Sequence, residues 1–138
     1  RYLGRISGPL LDRIDMQLEV TAVPVRQITE SAPEEPSADI HKRVQAARER
    51  QQKRYAGEGI SCNAELSARQ LETFCPLDDA CRELLGKACD TYHLSMRAVS
   101  RVRKVARTIA DLAGAEEIGR AHLLEALRYR NLEGNYWK

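Results

Sequence analysis

The chain has 138 residues and a mass of 15.6 kDa, which is enough for one domain and short for two. Apolar residues make up 43% of it and aromatic residues 5%, while 22 basic and 20 acidic side chains leave a net charge of +2. The sequence contains neither an apolar run long enough to cross a membrane nor the pattern of a signal peptide, so we expect a cytoplasmic protein with no membrane partner.

The N-terminal residues 1–29 differ from the rest of the chain. Residues 7–9, Ser-Gly-Pro, are typical of a turn that leads into a short helix. Apolar and polar side chains then alternate, which predicts a half-buried strand built on Met16, Leu18 and Val20. Because no second strand follows, we expect this strand to pair in a sheet that the chain does not contain. The first residue is Arg1 rather than Met, so we also expect a piece of a longer protein.

Residues 30–38 contain two prolines and two serines and predict a linker. A helix should follow from Ser37 to Arg54, with one apolar face formed by Ile40, Val44 and Ala47. The charge is uneven here, since residues 30–40 carry −4 and residues 41–54 carry +5. A basic helix of this kind can attract a polyanion even though the whole chain is nearly neutral.

Two short helices are predicted next. Residues 67–70, Ser-Ala-Arg-Gln, have the spacing of a capping box and open a helix that ends near Cys75. Pro76 should start the second helix, with Asp78 and Asp79 in its first turn, where the helix dipole favours acidic groups.

Two more helices complete the prediction. Ser95 should cap the first of them, which Gly114 ends and whose apolar stripe consists of Ala98, Val102, Val105, Ile109 and Leu112. The last helix should run from Arg120 to Tyr129 and is built on Leu123, Leu124 and Leu127. The predicted fold class is therefore mainly α, a small bundle of four or five helices behind an orphan strand segment.

No motif of a self-sufficient catalytic centre occurs. The sequence lacks the phosphate-loop pattern GxxxxGK[ST], as well as GxGxxG, HExxH and GxSxG. The histidines are scattered and the cysteines form no CxxC pair, so we expect no metal site and no disulfide framework but reduced, buried thiols. These residues are His41, His93, His122, Cys62, Cys75, Cys81 and Cys89.

Two basic positions are candidates for binding an anion: a cluster on one helix and a single arginine near the N-terminus. Arg97, Arg101 and Lys104 follow a spacing that places them on one helix face, and Arg97 lies in the first helical turn. A guanidinium there could hold a phosphate, although a solvated basic face has the same pattern. Arg13 lies between Asp12 and Asp15, where a local salt bridge is the alternative to a binding role.

Three stretches resemble one protein family: residues 8–15 (GPLLDRID), residues 40–51 (IHKRVQAARERQ) and above all residues 94–112 (LSMRAVSRVRKVARTIADL). They are similar to the C-terminal part of the magnesium-chelatase-like AAA+ ATPases, in the YifB/ComM competence-protein group. The resemblance covers nearly the whole chain. It implies that residues 1–29 end an AAA+ core, that residues 30–38 are a linker and that residues 39–138 form a helical lid domain.

The resemblance also implies roles for two arginines. Arg13 matches the arginine finger that reaches the nucleotide of a neighbouring subunit, and Arg97 in Ser95-Met96-Arg97 matches the sensor-2 arginine of the lid. Arg101 is a weaker candidate beside them. The implied cofactor is ATP with Mg²⁺ in the full-length protein, whose phosphate loop would lie upstream. We expect no cofactor bound to this fragment alone and no catalysis by it.

The resemblance implies that this region packs against the AAA+ core of its own chain. In the ComM branch it also implies that the full-length protein forms a homo-oligomeric ring, expected to be a hexamer, and remodels DNA by branch migration. The candidate DNA contacts are Arg43, Arg48, Arg50 and Lys53, with Arg103 and Arg107 as further candidates. A solvated face or a subunit contact is the alternative for these residues. Two other functions stay open: a stand-alone helical module that binds nucleic acid, and an ATPase subunit of a magnesium chelatase.

Overall fold

The computed structural model describes residues 8–18, 20, 22 and 34–130. Six α-helices and one 3₁₀ helix follow one another in these residues. They are α1 (Gly8–Leu11), α2 (Ser37–Arg54), the 3₁₀ helix (Asn63–Glu65), α3 (Ala68–Phe74), α4 (Asp79–Tyr92), α5 (Met96–Leu112) and α6 (Arg120–Arg128). The prediction of a mainly helical bundle is confirmed.

Within the described residues the predicted strand is not formed, and its expected pairing in a sheet outside the chain stays a prediction. Residues 14–18 and residue 20 carry no regular secondary structure, and the side chains of Met16, Leu18 and Val20 are exposed. An isolated strand leaves its backbone groups unpaired, and no other described residue forms a strand with which it could pair.

Side-chain caps fix where three helices begin. Ser67 and Gln70 form the predicted capping box at the start of α3. The hydroxyl of Ser95 accepts a hydrogen bond from the amide of Ala98 at 3.1 Å and caps α5. The start of α4 differs from the prediction, because the helix begins at Asp79 rather than Pro76. The carboxylate of Asp78 stands outside as the cap and accepts from an amide of the first turn at 2.7 Å.

Helix α5 is the centre of the bundle and contacts α2, α3, α6 and the 3₁₀ helix. Its predicted stripe is buried from Ala98 to Val105, whereas Leu112 at its end is exposed. Because neighbours cover α5 on several sides, its buried surface is wider than one stripe. The apolar core formed around it consists of Tyr55, Leu66, Leu71, Cys75, Leu77, Cys81, Leu85, Val99, Val102, Val105, Ala106, Ile118, Leu123 and Ala126.

Helix α2 packs on the bundle only through its C-terminal half. Ala47 and Gln51 are buried, but Ile40 and Val44 are 41% and 46% exposed. The predicted apolar face of α2 therefore does face the bundle at Ala47, but the bundle leaves its N-terminal part exposed to solvent. In α6, likewise, Leu123 is buried while Leu124 is exposed.

A polar cluster is buried between α2 and α5. The carboxylate of Asp111 is fully buried, pairs with Arg54 and accepts from the side-chain amide of Asn63 at 2.9 Å. Arg107 lies 3.2 Å from the same carboxylate. The hydroxyl of Tyr55 donates to the Asn63 oxygen at 2.6 Å. The hydrogen bonds to Asp111 raise the pKa of Arg54, burial lowers the pKa of Arg107, and burial raises the pKa of Tyr55.

We predict that Asp111→Ala destabilises the chain by about 3–5 kcal/mol, because it leaves two guanidinium groups without their buried carboxylate. Urea unfolding followed by circular dichroism measures this loss. Glu83→Ala is the matched control, since Glu83 also forms an ion pair, with Lys87, but lies exposed on α4; its unfolding midpoint should stay close to that of the unsubstituted chain. A loss below about 1 kcal/mol for Asp111→Ala would contradict the structural role of the cluster.

The four cysteines are free, with Cys75 and Cys81 buried and Cys62 and Cys89 partly buried. Burial raises the pKa of both Cys75 and Cys81 from 9.0 to about 11. Between these values the unfolded chain releases thiol protons that the folded chain retains, so stability falls as the pH rises above 9.0.

We therefore predict that raising the pH from about 8 to about 10 costs about 1 kcal/mol for each of these two thiols. The measurement is the difference in pH dependence between the unsubstituted chain and the variant with Cys75→Ala and Cys81→Ala, which cancels the titration of other groups. Equal pH dependence in both proteins would show that the two thiols titrate normally.

Candidate functional site

Residues 8–18 pack against the ends of α5 and α6. The amide of Gln17 donates to the carbonyl of Tyr129 at 2.7 Å, and the guanidinium of Arg130 donates to the carbonyl of Ile14 at 2.8 Å. Arg130 is 3% exposed. The N-terminal segment is therefore attached to the bundle by directional contacts, which the sequence patterns did not predict.

The two aspartates beside Arg13 face the bundle. Asp12 accepts from the hydroxyl of Ser95 at 2.9 Å and lies 3.4 Å from Arg130, while Asp15 pairs with Arg101. Both carboxylates are thus occupied by other residues, and the local salt bridge to Arg13 considered above is not formed. The Arg13 side chain is exposed and has no hydrogen-bond or ion-pair partner within the described residues.

Arg97 lies at the same end of the bundle as Arg13. It is the second residue of α5, two positions after Ser95, whose hydroxyl both caps α5 and contacts Asp12. Its side chain is exposed and, like that of Arg13, has no partner in the ranges that the structure describes. Arg97 belongs to the first turn of α5, and the free amides and the dipole at the start of a helix favour an anion.

The other members of the predicted basic face are occupied. The Arg101 side chain is 26% exposed and pairs with Asp15, so it is not a freely solvated group. The Lys104 ammonium donates to the carbonyl of Ala64 at 2.9 Å. Arg97, Arg101 and Lys104 share one helical spacing but differ in their partners. Among the described residues of this face, only Arg97 is open to a ligand.

Apart from Arg54, which pairs with the buried Asp111, the basic residues of α2 are exposed. Arg43 forms a double hydrogen bond with Glu35, at 2.6 and 3.1 Å, which raises the pKa of the Arg43 guanidinium. Arg48, Arg50 and Lys53 have no partner in the described part of the chain. Arg50 and Lys53 are about 60° apart around the helix, whereas Arg48 is about 160° from Arg50. The exposed charges thus surround α2 rather than forming one stripe.

Arg103 and Arg107, predicted as further DNA contacts, are used inside the fold, and that prediction is wrong. Arg103 is 13% exposed at its side chain, pairs with Glu72 and donates to the carbonyls of Leu71 and Cys75 at 3.0 and 2.9 Å. It thereby donates to carbonyls at the C-terminal end of α3. Arg107 is 1% exposed and donates to two carbonyls of the loop after α5, each at 2.7 Å.

The sequence did not predict the long-range contacts of four residues that shape this site. These residues are Asp12, Asp15, Ser95 and Arg130. Their partners lie about eighty or more positions away in the chain, since Asp15 and Arg101 are separated by 86 residues and Ile14 and Arg130 by 116. Periodicity and capping patterns report on neighbours in sequence. The only available signal was the placement of two carboxylates around one arginine.

Within the described ranges, histidine, cysteine and carboxylate side chains do not gather in groups of three or more that could hold a metal ion.

The described helices include none that is both long and apolar enough to cross a membrane.

Comparison with known families agrees with the resemblance noted in the sequence. Residues 34–130 match the family model described as magnesium chelatase, subunit ChlI C-terminal, and residues 1–28 match the model of magnesium chelatase, subunit ChlI. The first match covers more than half of the chain, and the chain therefore belongs to the family of the magnesium chelatase subunit ChlI C-terminal region.

Individual relatives refine this assignment to the YifB/ComM group. The chain is 43% identical over 131 residues to the competence protein ComM of Haemophilus influenzae, covering 94% of this chain and 25% of that protein. It is 42% identical over 134 residues to the YifB proteins of Salmonella typhimurium and Escherichia coli, covering 96% of this chain and 26% of each. The chain thus spans about a quarter of the length of these curated relatives.

Proposed function

We propose that the chain is the C-terminal lid region of a magnesium-chelatase-related AAA+ ATPase, and that it couples ATP binding and hydrolysis to the remodelling of DNA. The nucleotide and its Mg²⁺ would be held mainly by the upstream core of the full-length protein. The residues of this chain would supply positive charge to the phosphates. The family membership and the similarity to ComM support the class, and the arginine geometry supports the mechanism.

The observation that carries the proposal is the pair of open guanidinium groups at one end of the bundle. Arg13 and Arg97 are exposed and unpartnered among the described residues, and the Ser95–Asp12 contact joins the segments that carry them. Guanidinium groups bind phosphate oxygens through two parallel hydrogen bonds, and they do so best when no carboxylate competes. Both residues meet this requirement, whereas Arg101, Arg103 and Arg107 do not.

In this mechanism, Arg97 contacts the γ-phosphate of the nucleotide bound by its own subunit, and Arg13 reaches the γ-phosphate in a neighbouring subunit. Charge supplied in this way stabilises the transition state of phosphoryl transfer, and an arginine finger can be worth about 10³-fold or more in rate. Such a finger in trans requires a ring or another homo-oligomer, for which we propose a hexamer. Contact with DNA would use Arg48, Arg50 and Lys53, the exposed and unpaired basic residues of α2 in the described chain.

Two other functions rest on the same observations. The basic surface of α2 is compatible with a stand-alone module that binds nucleic acid, and the family description is compatible with the ATPase subunit of a magnesium chelatase. Metal insertion into a porphyrin by the full-length protein, coupled to ATP hydrolysis, would favour the chelatase over the DNA motor.

In the full-length protein, Arg97→Ala should lower ATP turnover by about tenfold or more, since it removes a charge that contacts the γ-phosphate. Arg69→Ala is the matched control, because Arg69 is also an exposed arginine at the second position of a helix, α3. Steady-state ATPase assays and thermal melting compare the two variants, and both should melt as the unsubstituted protein does. Normal turnover in Arg97→Ala would exclude the sensor role.

Arg13→Ala should also lower turnover, by about 10³-fold if the finger acts as in related ATPases. Mixing this variant with subunits that lack a working Walker B acid tests whether the residue acts in trans. At mixed interfaces an intact nucleotide site receives Arg13 from its neighbour, so part of the activity should return. Absence of recovery at every mixing ratio would contradict the action of Arg13 on a neighbouring site.

DNA binding by the chain itself separates the motor lid from the stand-alone module. If α2 contacts phosphates, the logarithm of the affinity should fall linearly with the logarithm of the salt concentration. The variant with Arg48→Ala, Arg50→Ala and Lys53→Ala should lose about 0.7–0.9 in slope for each phosphate contact removed. Fluorescence anisotropy with labelled duplex and single-stranded DNA measures both, and Arg69→Ala again serves as the control. No measurable binding at low salt would exclude the stand-alone module.

A further inference from the structure

The turn that carries Arg13 is held by acidic groups on both sides of that residue. Asp12 precedes it and accepts from the Ser95 hydroxyl at 2.9 Å, with Arg130 at 3.4 Å; Asp15 follows two positions later and pairs with Arg101. The backbone is held at the same time, because Arg130 donates to the carbonyl of Ile14 at 2.8 Å. The contacts therefore surround Arg13 without involving its side chain.

The partners of Asp12 and Asp15 keep these two carboxylates from pairing with Arg13. A free aspartate one or two positions from an arginine can form a local ion pair with it, and a guanidinium in such a pair is less available to a phosphate. Here Ser95, Arg101 and Arg130 engage the acids, and the Arg13 guanidinium stays exposed with no partner in the described ranges. The same contacts reduce the freedom of the turn, which favours a fixed direction for the side chain.

We infer that Asp12 and Asp15 are positioning residues for Arg13: they fasten its turn to the start of α5 and to the end of α6, so that its guanidinium is presented outward to the neighbouring subunit. This inference rests on the proposed function of Arg13. An arginine finger by itself does not require these two aspartates. Their contacts attach the Arg13 turn to α5, the helix that also carries Arg97.

The contact between Asp15 and Arg101 offers a test by charge exchange. Asp15→Arg and Arg101→Asp should each free the turn, while the double variant D15R/R101D restores opposite charges at the same two positions. Hydrogen exchange of the Gln17 amide, which donates to Tyr129, reports on the attachment in the chain itself. Each single variant should exchange about fivefold faster, and the double variant should return to the original rate. Glu83→Arg, which breaks the exposed pair on α4, should leave this amide unchanged.

The second measurement is ATP turnover by the full-length protein. Asp15→Arg should lower kcat by about tenfold or more with little change in the KM for ATP, because it misplaces a group that acts in the transition state. In the background of Arg13→Ala, the same substitution should cause no further loss. The double exchange should recover a large part of kcat, and the neutral variant Asp15→Asn should give an intermediate loss without a change in melting temperature.

The outcomes distinguish the inference from the proposed function. An equal further loss of kcat from Asp15→Arg when Arg13 is already absent would overturn the positioning role, and so would unchanged Gln17 exchange in both single variants. If Arg13→Ala has normal turnover, the proposed finger fails and the inference fails with it, whatever the exchange rates show. Faster exchange, lower kcat and recovery in D15R/R101D together would establish the positioning role.

Discussion

A buried carboxylate at the C-terminal end of α5 is held by two guanidinium groups and one amide, and the packing of α2 and of the loops beside it depends on this contact. Asp111 binds Arg54 of α2, Arg107 of its own helix and Asn63 of the 3₁₀ helix. A charge removed from water needs partners of this kind, and their directions are fixed. Apolar burial is not directional, so this cluster sets how the elements around α5 are arranged.

Two groups of described arginines differ in what surrounds them. The largely buried side chains of Arg54, Arg103, Arg107 and Arg130 bind carbonyls and carboxylates of other segments or of the loop after α5. Arg13 and Arg97 are exposed and leave their donors open among the described residues. The net charge of +2 averages over both groups and therefore says little about which anion the protein can bind.

The N-terminal segment, which carries Arg13, is attached to the bundle beside the start of α5, which carries Arg97. Asp12 contacts the residue that caps α5, and Gln17 contacts the end of α6. These contacts attach the segment to the bundle, and the sheet pairing predicted from the alternation of Met16, Leu18 and Val20 stays a prediction. Motion of α5 would therefore move Arg97 and the Arg13 turn together, which is the coupling that the proposed function requires. The structure thus places residues 8–18 against the helical bundle.

The sequence by itself determined the helices, because their signals lie within a few residues of each other. The Ser67 and Ser95 caps and the period of the α5 stripe were all correctly read. It also singled out Arg13 and Arg97 through motifs. Tertiary structure alone decided which basic residues stay open: Arg97 and Arg101 share one helical spacing, yet only Arg101 meets an acid, Asp15, from a segment 86 residues away. Availability for binding depends on partners brought together by folding, and helical periodicity carries no information about contacts over that distance.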